Sequence, residues 1–431
     1  MAEIFLMGIF SAALVLCIWA GQPILFALIF GLIIFSLYAR EQGHASRKIL
    51  GMWSEGIQTI KPILITLMLI GIITAYWRAA GVIPAIIFYT SDFFTPEIIL
   101  PMTFWLCGLI SILTGTAFGT AATMGTICAA IANSLDVPIW LTGGAVLSGC
   151  YLGDRCSPMS TSALLVATLT RTDIFKNIVG MIKTSIVPLI LASAFYYVAG
   201  ISFVSGWTEI DAAEIFARAF AIRPEVLIPA ILIVVLSLMK LRVQLMIGAS
   251  ILASFIIALT IQGVAVGELL KIALLGFYPS DAELAKLLSG GGVISMANVL
   301  AILCISSCYA GIFKATGFLN SLQNFMIRLG EKFTPFLSVI VAATITSMIS
   351  CNQTLAIMLT HQLCKKVEPR SEVFAIDIEN SAVVISPLIP WSIAGAVVLT
   401  PLNATPLSIL AAWYLYLIPL CYLLTKFKKS G

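Results

Sequence analysis

Apolar runs fill most of the chain, interrupted by short clusters of charge, Gly and Pro: 4–20, 23–39, 62–78, 98–114, 116–133, 139–152, 156–170, 184–205, 224–239, 243–263, 293–313, 336–350, 352–367, 373–385, 388–402 and 406–424. The runs are continuous and do not alternate with period two, which predicts helices and excludes a transmembrane β-barrel. Crossing a ~30 Å hydrocarbon core takes about 20 residues, and several runs are shorter than that. The short ones come in pairs. The pairs 98–114/116–133 and 336–350/352–367 predict re-entrant hairpins. The pairs 139–152/156–170 and 373–385/388–402 predict single spans broken in the middle. Irregular backbone survives at membrane depth only inside protein or along a wet cavity, so the chemistry is expected at these pairs.

Composition fixes the class. Of 431 residues, 60% are hydrophobic and 10% charged, against ~25% charged in soluble domains. The mean hydropathy is +1.06. This describes an all-α polytopic membrane protein. The net charge of +4 is spread among short loops, which argues against nucleic acid as a partner. The ten cysteines lie in or beside apolar runs without metal-ligand spacing and read as small apolar fillers. The N-terminus opens Met1-Ala2-Glu3 with no positive region, which predicts a retained first helix and no cleaved signal.

An internal repeat organises the runs. Trp77-Arg78-Ala79-Ala80-Gly81 matches Phe313-Lys314-Ala315-Thr316-Gly317, and Phe94-Thr95-Pro96 matches Phe333-Thr334-Pro335. The tip Thr114-Gly115-Thr116 corresponds to Ser350-Cys351-Asn352, and Ser157-Pro158-Met159 to Ser386-Pro387-Leu388. The basic loop Arg40–Lys61 and the later basic clusters, through Lys426, can all be cytoplasmic if each hairpin enters and leaves on one side. Span 62–78 then runs outward while its mate 293–313 runs inward. The predicted domains are a first inverted repeat over 1–205, an extracytoplasmic linker over 206–223 and a second inverted repeat over 224–431. Each repeat has about five spans plus one hairpin, and both termini are cytoplasmic. Residues 82–95 and 317–333 read as amphipathic helices in opposite interfaces. Inverted repeats with paired broken helices point to alternating-access transport. Interfacial helices and scaffold spans of this kind would suit a homodimer.

Three constellations carry candidate chemistry. The first tip, Thr114-Gly115-Thr116-Ala117-Phe118-Gly119-Thr120, offers hydroxyl and carbonyl oxygens on a tight turn, as a small hard cation requires. Its competing reading is a small-residue packing surface. The second is Gly153-Asp154-Arg155-Cys156-Ser157-Pro158-Met159-Ser160, whose charges sit amid an apolar stretch and are costly there. Neighbours on a helix point about 100° apart, so Asp154 and Arg155 do not simply cancel. The third joins Asn352 and Gln353 at the second tip to Glu379, Asn380, Ser386 and Ser392. Glu379 and Asn380 are expected to face the same cavity as Ser386. The predicted Na+ positions are near Thr116, Asp154 and Ser157, and near Asn352 and Ser386. Asp154 and Glu379 are the proton-carrier candidates. Asp377 reads as a loop charge open to solvent, and His361 as a packed or interfacial histidine.

At these constellations the chain resembles the NhaC-type sodium/proton antiporters. Gly153 to Ser160, followed by Thr170-Arg171-Thr172-Asp173-Ile174-Phe175, is similar to that family's G-D-K-x-S-P-L-S-D-T-T-N and T-G-T-D-L-F. Ile378-Glu379-Asn380-Ser381 and Ser386-Pro387-Leu388-Ile389-Pro390-Trp391 resemble L-E-D-S and S-P-L-I-P-W. The resemblance covers about residues 60–400. It implies the ion-transporter superfamily fold, sodium coupling and a bacterial inner membrane. Three acidic positions of the pattern are neutral here: Thr161, Asn352 and Asn380. Fewer carboxylates mean fewer proton carriers, which suits an organic substrate. The resemblance as a whole implies a secondary transporter that exchanges Na+ for H+, and that is the reading taken. The alternative is sodium-coupled transport or exchange of a small organic acid or amino acid. An enzyme is not expected, since no H-E-x-x-H is present and neither histidine has a nucleophile to serve. No cofactor is implied.

Overall fold

The computed structural model describes residues 2–20, 22–90, 95–202, 212–239, 241, 243–281, 284–285, 288–316, 320–350 and 352–430. Cys351 of the second tip, Phe94 and Gly317 of the repeat, and residues 206–211 of the linker lie outside these. The described residues are helical throughout, with no strand among them beyond one isolated bridge between Phe277 and Gly290. In chain order the helices are α1 (Ala2–Trp19), α2 (Ile24–Glu41), α3 (Ser46–Ala79), α4 (Val82–Thr90), α5 (Pro96–Thr114), α6 (Ala117–Thr120), α7 (Thr126–Ser134), α8 (Ile139–Cys156), α9 (Thr161–Thr170) and α10 (Ile174–Ile201). There follow α11 (Ala212–Ala219), α12 (Ile228–Leu238), α13 (Val243–Thr260), α14 (Val266–Leu275), α15 (Ala297–Thr316), α16 (Asn320–Lys332), α17 (Pro335–Ser350), α18 (Gln353–Cys364), α19 (Ser371–Glu379), α20 (Ala382–Ile385), α21 (Ile393–Leu399) and α22 (Trp413–Ser430). A π-helical stretch, Ala121–Gly125, joins α6 to α7.

Ile24–Glu41, Pro96–Thr114, Ile174–Ile201 and Val293–Phe313 are long and apolar enough to cross a membrane singly. Two bent pairs, Leu64–Ala79 with Val82–Tyr89 and Ser371–Leu388 with Ile393–Leu402, bring the number to six. Helix α10 illustrates how these helices sort their sides. Asn177, Met181, Ser185, Pro188, Ala192, Tyr196 and Gly200 are buried at helical spacing. Phe175, Val179, Ile182, Ile186 and Ile190 are exposed on the other side. Large apolar side chains left outward in this way belong against lipid. The chain is a multi-pass membrane protein.

Helices are interrupted at all four predicted pairs, but several boundaries move. The predicted loop over Arg40–Lys61 is helical from Ser46, because Ile49, Met52, Gly56 and Ile60 fall on one buried face among the charges. The first broken span does not stop at residue 152. Helix α8 continues through Asp154 and Arg155 to Cys156, and yields where Pro158 forces Ser157 into extended backbone (ψ 134). The second breaks earlier than its Pro: α19 ends at Glu379, where the Ser381 hydroxyl donates back to the Asp377 carbonyl at 2.6 Å. A second interruption separates Leu388 from Ile393, with a 59° bend. The run 406–424 is two elements, a 3₁₀ segment Pro406–Ala411 followed by α22.

Two seams bring backbones together at glycine. A Cβ on Gly153 of α8 would lie 2.2 Å from Ser111 Cβ and 2.3 Å from Ile112 N of α5. One on Gly311 of α15 would lie 2.0 Å from the Met52 carbonyl oxygen of α3. Hairpin arm α5 is thus fused to the first broken span, and α15 to α3. The second half of each broken span packs on the opposite hairpin: α9 on α18, and α21 on α6 and the π stretch.

Candidate functional site

Four chain interruptions meet at one cavity of about 150 Å³. It is lined by Thr116, Ala117 and Phe118 of the first tip, Asp154 and Thr161 of the first break, Asn352, Gln353 and Thr354 of the second tip, and Ile393 and Ala394 beyond the second break. At each interruption a new helix begins, and each has a side-chain cap. Thr116 Oγ1 accepts from Gly119 N at 3.3 Å, and Ser160 Oγ from Ser162 N at 3.2 Å. Asn352 Oδ1 accepts from Thr354 N at 2.9 Å, and Ser392 Oγ from Ala394 N at 3.3 Å. Side-chain oxygens of this kind satisfy the free N–H groups of a helix start. Four residues predicted from sequence as ion ligands therefore also hold the helix starts around the cavity.

The tip and the break fit together closely. Gly115 has φ +66, and a Cβ there would lie 2.6 Å from the Met159 carbonyl carbon. Only glycine allows both the turn and the approach. Asp154, on the last turn of α8, is buried. Its Oδ1 accepts from Ser160 Oγ at 3.0 Å, and its Oδ2 from Ser162 Oγ at 2.8 Å and Gln353 Nε2 at 3.2 Å. Gln353 also donates to the Val383 carbonyl at 3.2 Å, tying the second tip to both broken spans. Tyr151 OH donates to the Ala394 carbonyl at 2.9 Å.

Arg155 faces elsewhere, as the 100° offset requires. Its guanidinium donates to Ser185 Oγ at 2.6 Å, Thr184 Oγ1 at 2.8 Å, Tyr414 OH at 3.3 Å and the Met181 carbonyl at 3.4 Å. It also donates to Asn380 Oδ1. Asn380 is therefore a clamp partner of Arg155 and does not line the cavity. Glu379 is fully buried, with no hydrogen-bond partner on either oxygen among the described residues, and it too is absent from the cavity lining. The expectation that Glu379 and Asn380 face a common cavity with Ser386 is thus corrected, because α19 ends at Glu379. Ser386 pairs with Ser347 at 2.9 Å. Ser157 Oγ accepts from Met159 N at 3.2 Å. Thr120 donates to the Thr116 carbonyl at 2.9 Å, and Thr114 lines a separate apolar cavity. Asp377, expected in solvent, is buried, with Lys426 Nζ at 3.2 Å. His361 stacks on Phe374 with centroids 5.5 Å apart.

Sequence reasoning missed Ser162 and did not foresee the Arg155 clamp. Two of the positions that are acidic in the family pattern, Thr161 and Asn352, line the cavity, and the third, Asn380, holds Arg155. Asp154 is the one ionisable side chain among the lining residues.

Two further cavities lie beyond the central one. Helix α9 runs from Thr161 toward a cavity of about 620 Å³ lined by Asp173, Lys176, Glu368, Arg370 and Lys426. Helix α21 runs from Ile393 toward one of about 170 Å³ lined by Arg78, Asn133, Ser289 and Asn403. At 1.5 Å per residue each helix carries the chain on the order of 10 Å.

Comparison with known proteins identifies the family. A profile described as the Na+/H+ antiporter family matches residues 149–426, well over half the chain. A malate-2H(+)/Na(+)-lactate antiporter of Bacillus subtilis (strain 168) is 28% identical over 404 residues, which is 91% of this chain and 86% of that protein. The Na(+)/H(+) antiporter NhaC of the same organism is 27% identical over 395 residues, 87% of this chain and 86% of its own length. The arginine/ornithine antiporter ArcD of Halobacterium salinarum is 24% identical over 361 residues, covering 81% and 74%. These relatives are transporters and not enzymes. With secondary transport common to them, the chain belongs to the Na+/H+ antiporter family, of NhaC type.

Proposed function

We propose that the chain exchanges Na+ for H+ by alternating access, with Asp154 as the carboxylate that takes either ion. The observation carrying this reading is a single buried carboxylate in the cavity where both tips and both breaks meet. A Na+ there would draw on Asp154 and on the hydroxyl oxygens of Thr116, Ser160 and Ser162. Hydroxyls can rotate from donating to Asp154 to coordinating the ion. A proton on Asp154 removes the charge that holds the cation, so competition for one carboxylate is the coupling. Glu379, buried with both oxygens unpartnered among the described residues, is the second proton station.

The two repeats, 1–205 and 224–431 around the linker 206–223, are taken to lie inverted in a bacterial inner membrane with both termini cytoplasmic. Charge bias assigns Lys176, Lys332 and Lys426 to the cytoplasm and 263–292 to the outside. In support, Lys176 and Lys426 border one end cavity, and Arg78, Ser289 and Asn403 border the other. A Na+ jump applied to proteoliposomes, with lumenal pH as readout, tests the exchange. A pH unmoved by Na+ would refute it.

A second reading, transport of a small organic acid or amino acid, is favoured by the helix starts. Helices α9 and α18 and the arm 117–134 all begin at the cavity, and each N-terminus carries about half a positive charge. Such a setting suits a substrate carboxylate beside Asp154. The same assay repeated with malate, lactate, arginine or ornithine separates the readings: Na+-dependent uptake without proton movement would favour the second.

A further inference from the structure

Asp377 belongs neither to the central cavity nor to a solvated loop. It is fully buried on α19, and two α22 side chains hold one of its oxygens: Tyr422 OH donates to Oδ1 at 3.0 Å, and Lys426 Nζ lies 3.2 Å from the same atom. Oδ2 has no hydrogen-bond partner among the described residues. Tyr422, Lys426 and Ile376 line the 620 Å³ cavity, so Asp377 sits just behind its wall, and the Lys426 side chain keeps 24% exposure toward open space.

The other charged groups around this cavity are already engaged. Arg370 holds both oxygens of Glu368, at 2.8 Å each. Asp173 Oδ1 caps α10 through Lys176 N at 2.9 Å. Lys176 and Glu372, both exposed, face each other at 3.8 Å. Asp377 alone combines a free buried oxygen with a counter-ion on a long, movable stem. A half-satisfied buried ion pair is a poor device for stability. A lysine ammonium is also a compact point charge, the nearest side-chain equivalent of a small monovalent cation. Three residues on from Asp377, just past the end of α19, Asn380 accepts from Arg155, the neighbour of Asp154.

We propose that Asp377 is a second monovalent-cation site, an entry station between the large cavity and Asp154, with the Lys426 ammonium as its tethered occupant. An arriving Na+ binds the two carboxylate oxygens and the Tyr422 hydroxyl oxygen, while Lys426 swings into the cavity. Oxygen ligands of this type are those a hard cation takes. The inference rests on the cation-transport reading above, and its test separates the two.

Equilibrium binding of ²²Na+ to the purified full-length protein in nanodiscs supplies the measurement. Lys426→Met and Lys426→Gln, which remove the competing charge, should each fill this site at lower Na+ than the parent, and so carry one more Na+ per chain at concentrations too low to displace Lys426. Adding Asp377→Asn should abolish that gain, whereas adding Asp154→Asn should leave it. No gain in either Lys426 variant overturns the Asp377 site while leaving the central reading intact. A parent that binds no Na+, beside a Lys426 variant that binds one, sinks the central reading and keeps this one. The parent itself gives a check that needs no variant. Acetylation of Lys426, followed peptide by peptide, should rise in NaCl over choline chloride at equal ionic strength. An unchanged Lys426 yield overturns the displacement.

Discussion

Replacing Asp154 by Asn changes one charge and almost no volume. Asp154 accepts three side-chain hydrogen bonds, one on Oδ1 and two on Oδ2. An Asn can keep its oxygen toward Ser162 and Gln353 and turn its amide toward Ser160, whose hydroxyl can accept instead of donate. The fold thus keeps three hydrogen bonds but loses their charge assistance, each being worth about 1.5–3 kcal/mol when charged against about 0.5–1.5 when neutral. In exchange it is relieved of the cost of a buried charge. The cation loses far more. At about 4 Å and an effective dielectric of about 20, a unit charge contributes about 4 kcal/mol, roughly a thousandfold in Kd. Folded yield and thermal stability should therefore stay near those of the parent, while Na+ affinity falls by about three orders of magnitude and Na+-driven pH change disappears. The assay is ²²Na+ binding paired with the Na+ jump in proteoliposomes. An Asp154→Asn protein whose Na+ affinity stays within about threefold of the parent would remove the carboxylate from the site.

Other perturbations probe the rest. Glu379→Gln should leave Na+ binding measurable and flatten the pH dependence of transport; an unchanged pH profile assigns the proton elsewhere. Gly115→Ala combines a left-handed backbone with a 2.6 Å clash against Met159, a cost of about 2–5 kcal/mol from the strain and overpacking together, and should lower both melting temperature and transport rate. Cysteines at Glu372 and Thr405 should react with an impermeant reagent from opposite sides of the membrane; labelling of both from one side ends the proposed topology. Glu368 has opposing influences: burial pushes its carboxyl up, and the Arg370 hydrogen bonds and charge pull it further down, to a net position below its usual range. A depressed folded-state pKa stabilises above the unfolded value and is lost as pH falls through the folded one. Glu368→Gln should thus lower the melting temperature above about pH 5 and make little difference below about pH 3; an equal effect at both would contradict the pairing.

The helix interruptions were legible because Gly, Pro and polar residues are conspicuous inside apolar runs, and Asp154 stood out for the same reason. Exact break positions were not. Proline sets the end of α8, so charge-bearing residues 154 and 155 remained helical. A serine hydroxyl returning to its own helix ends α19 before any proline. Capping was hidden because a Thr or Asn at a tip looks alike whether it holds an ion or an N–H group. Ser162 contacts Asp154 across a chain break, and no periodicity reports such a pair. Asp377 was misjudged because Lys426, its partner, is 49 positions away and could not be seen to return. The charges of 46–61 masked a buried stripe at Ile49, Met52 and Ile60.

The glycine seams have a mechanical consequence. Where backbone meets backbone, as at Gly153 against α5 and Gly311 against α3, there is no side-chain cushion to deform, and neither partner can slide without breaking the contact along its length. Slack lies elsewhere, in the apolar cavity of about 420 Å³ between the first hairpin and α12. In the alternating access proposed above, this gap would leave the first hairpin room to move against α12. Joined at Gly153, α5 and α8 would then travel as a single stiff lever, as would α3 and α15 joined at Gly311.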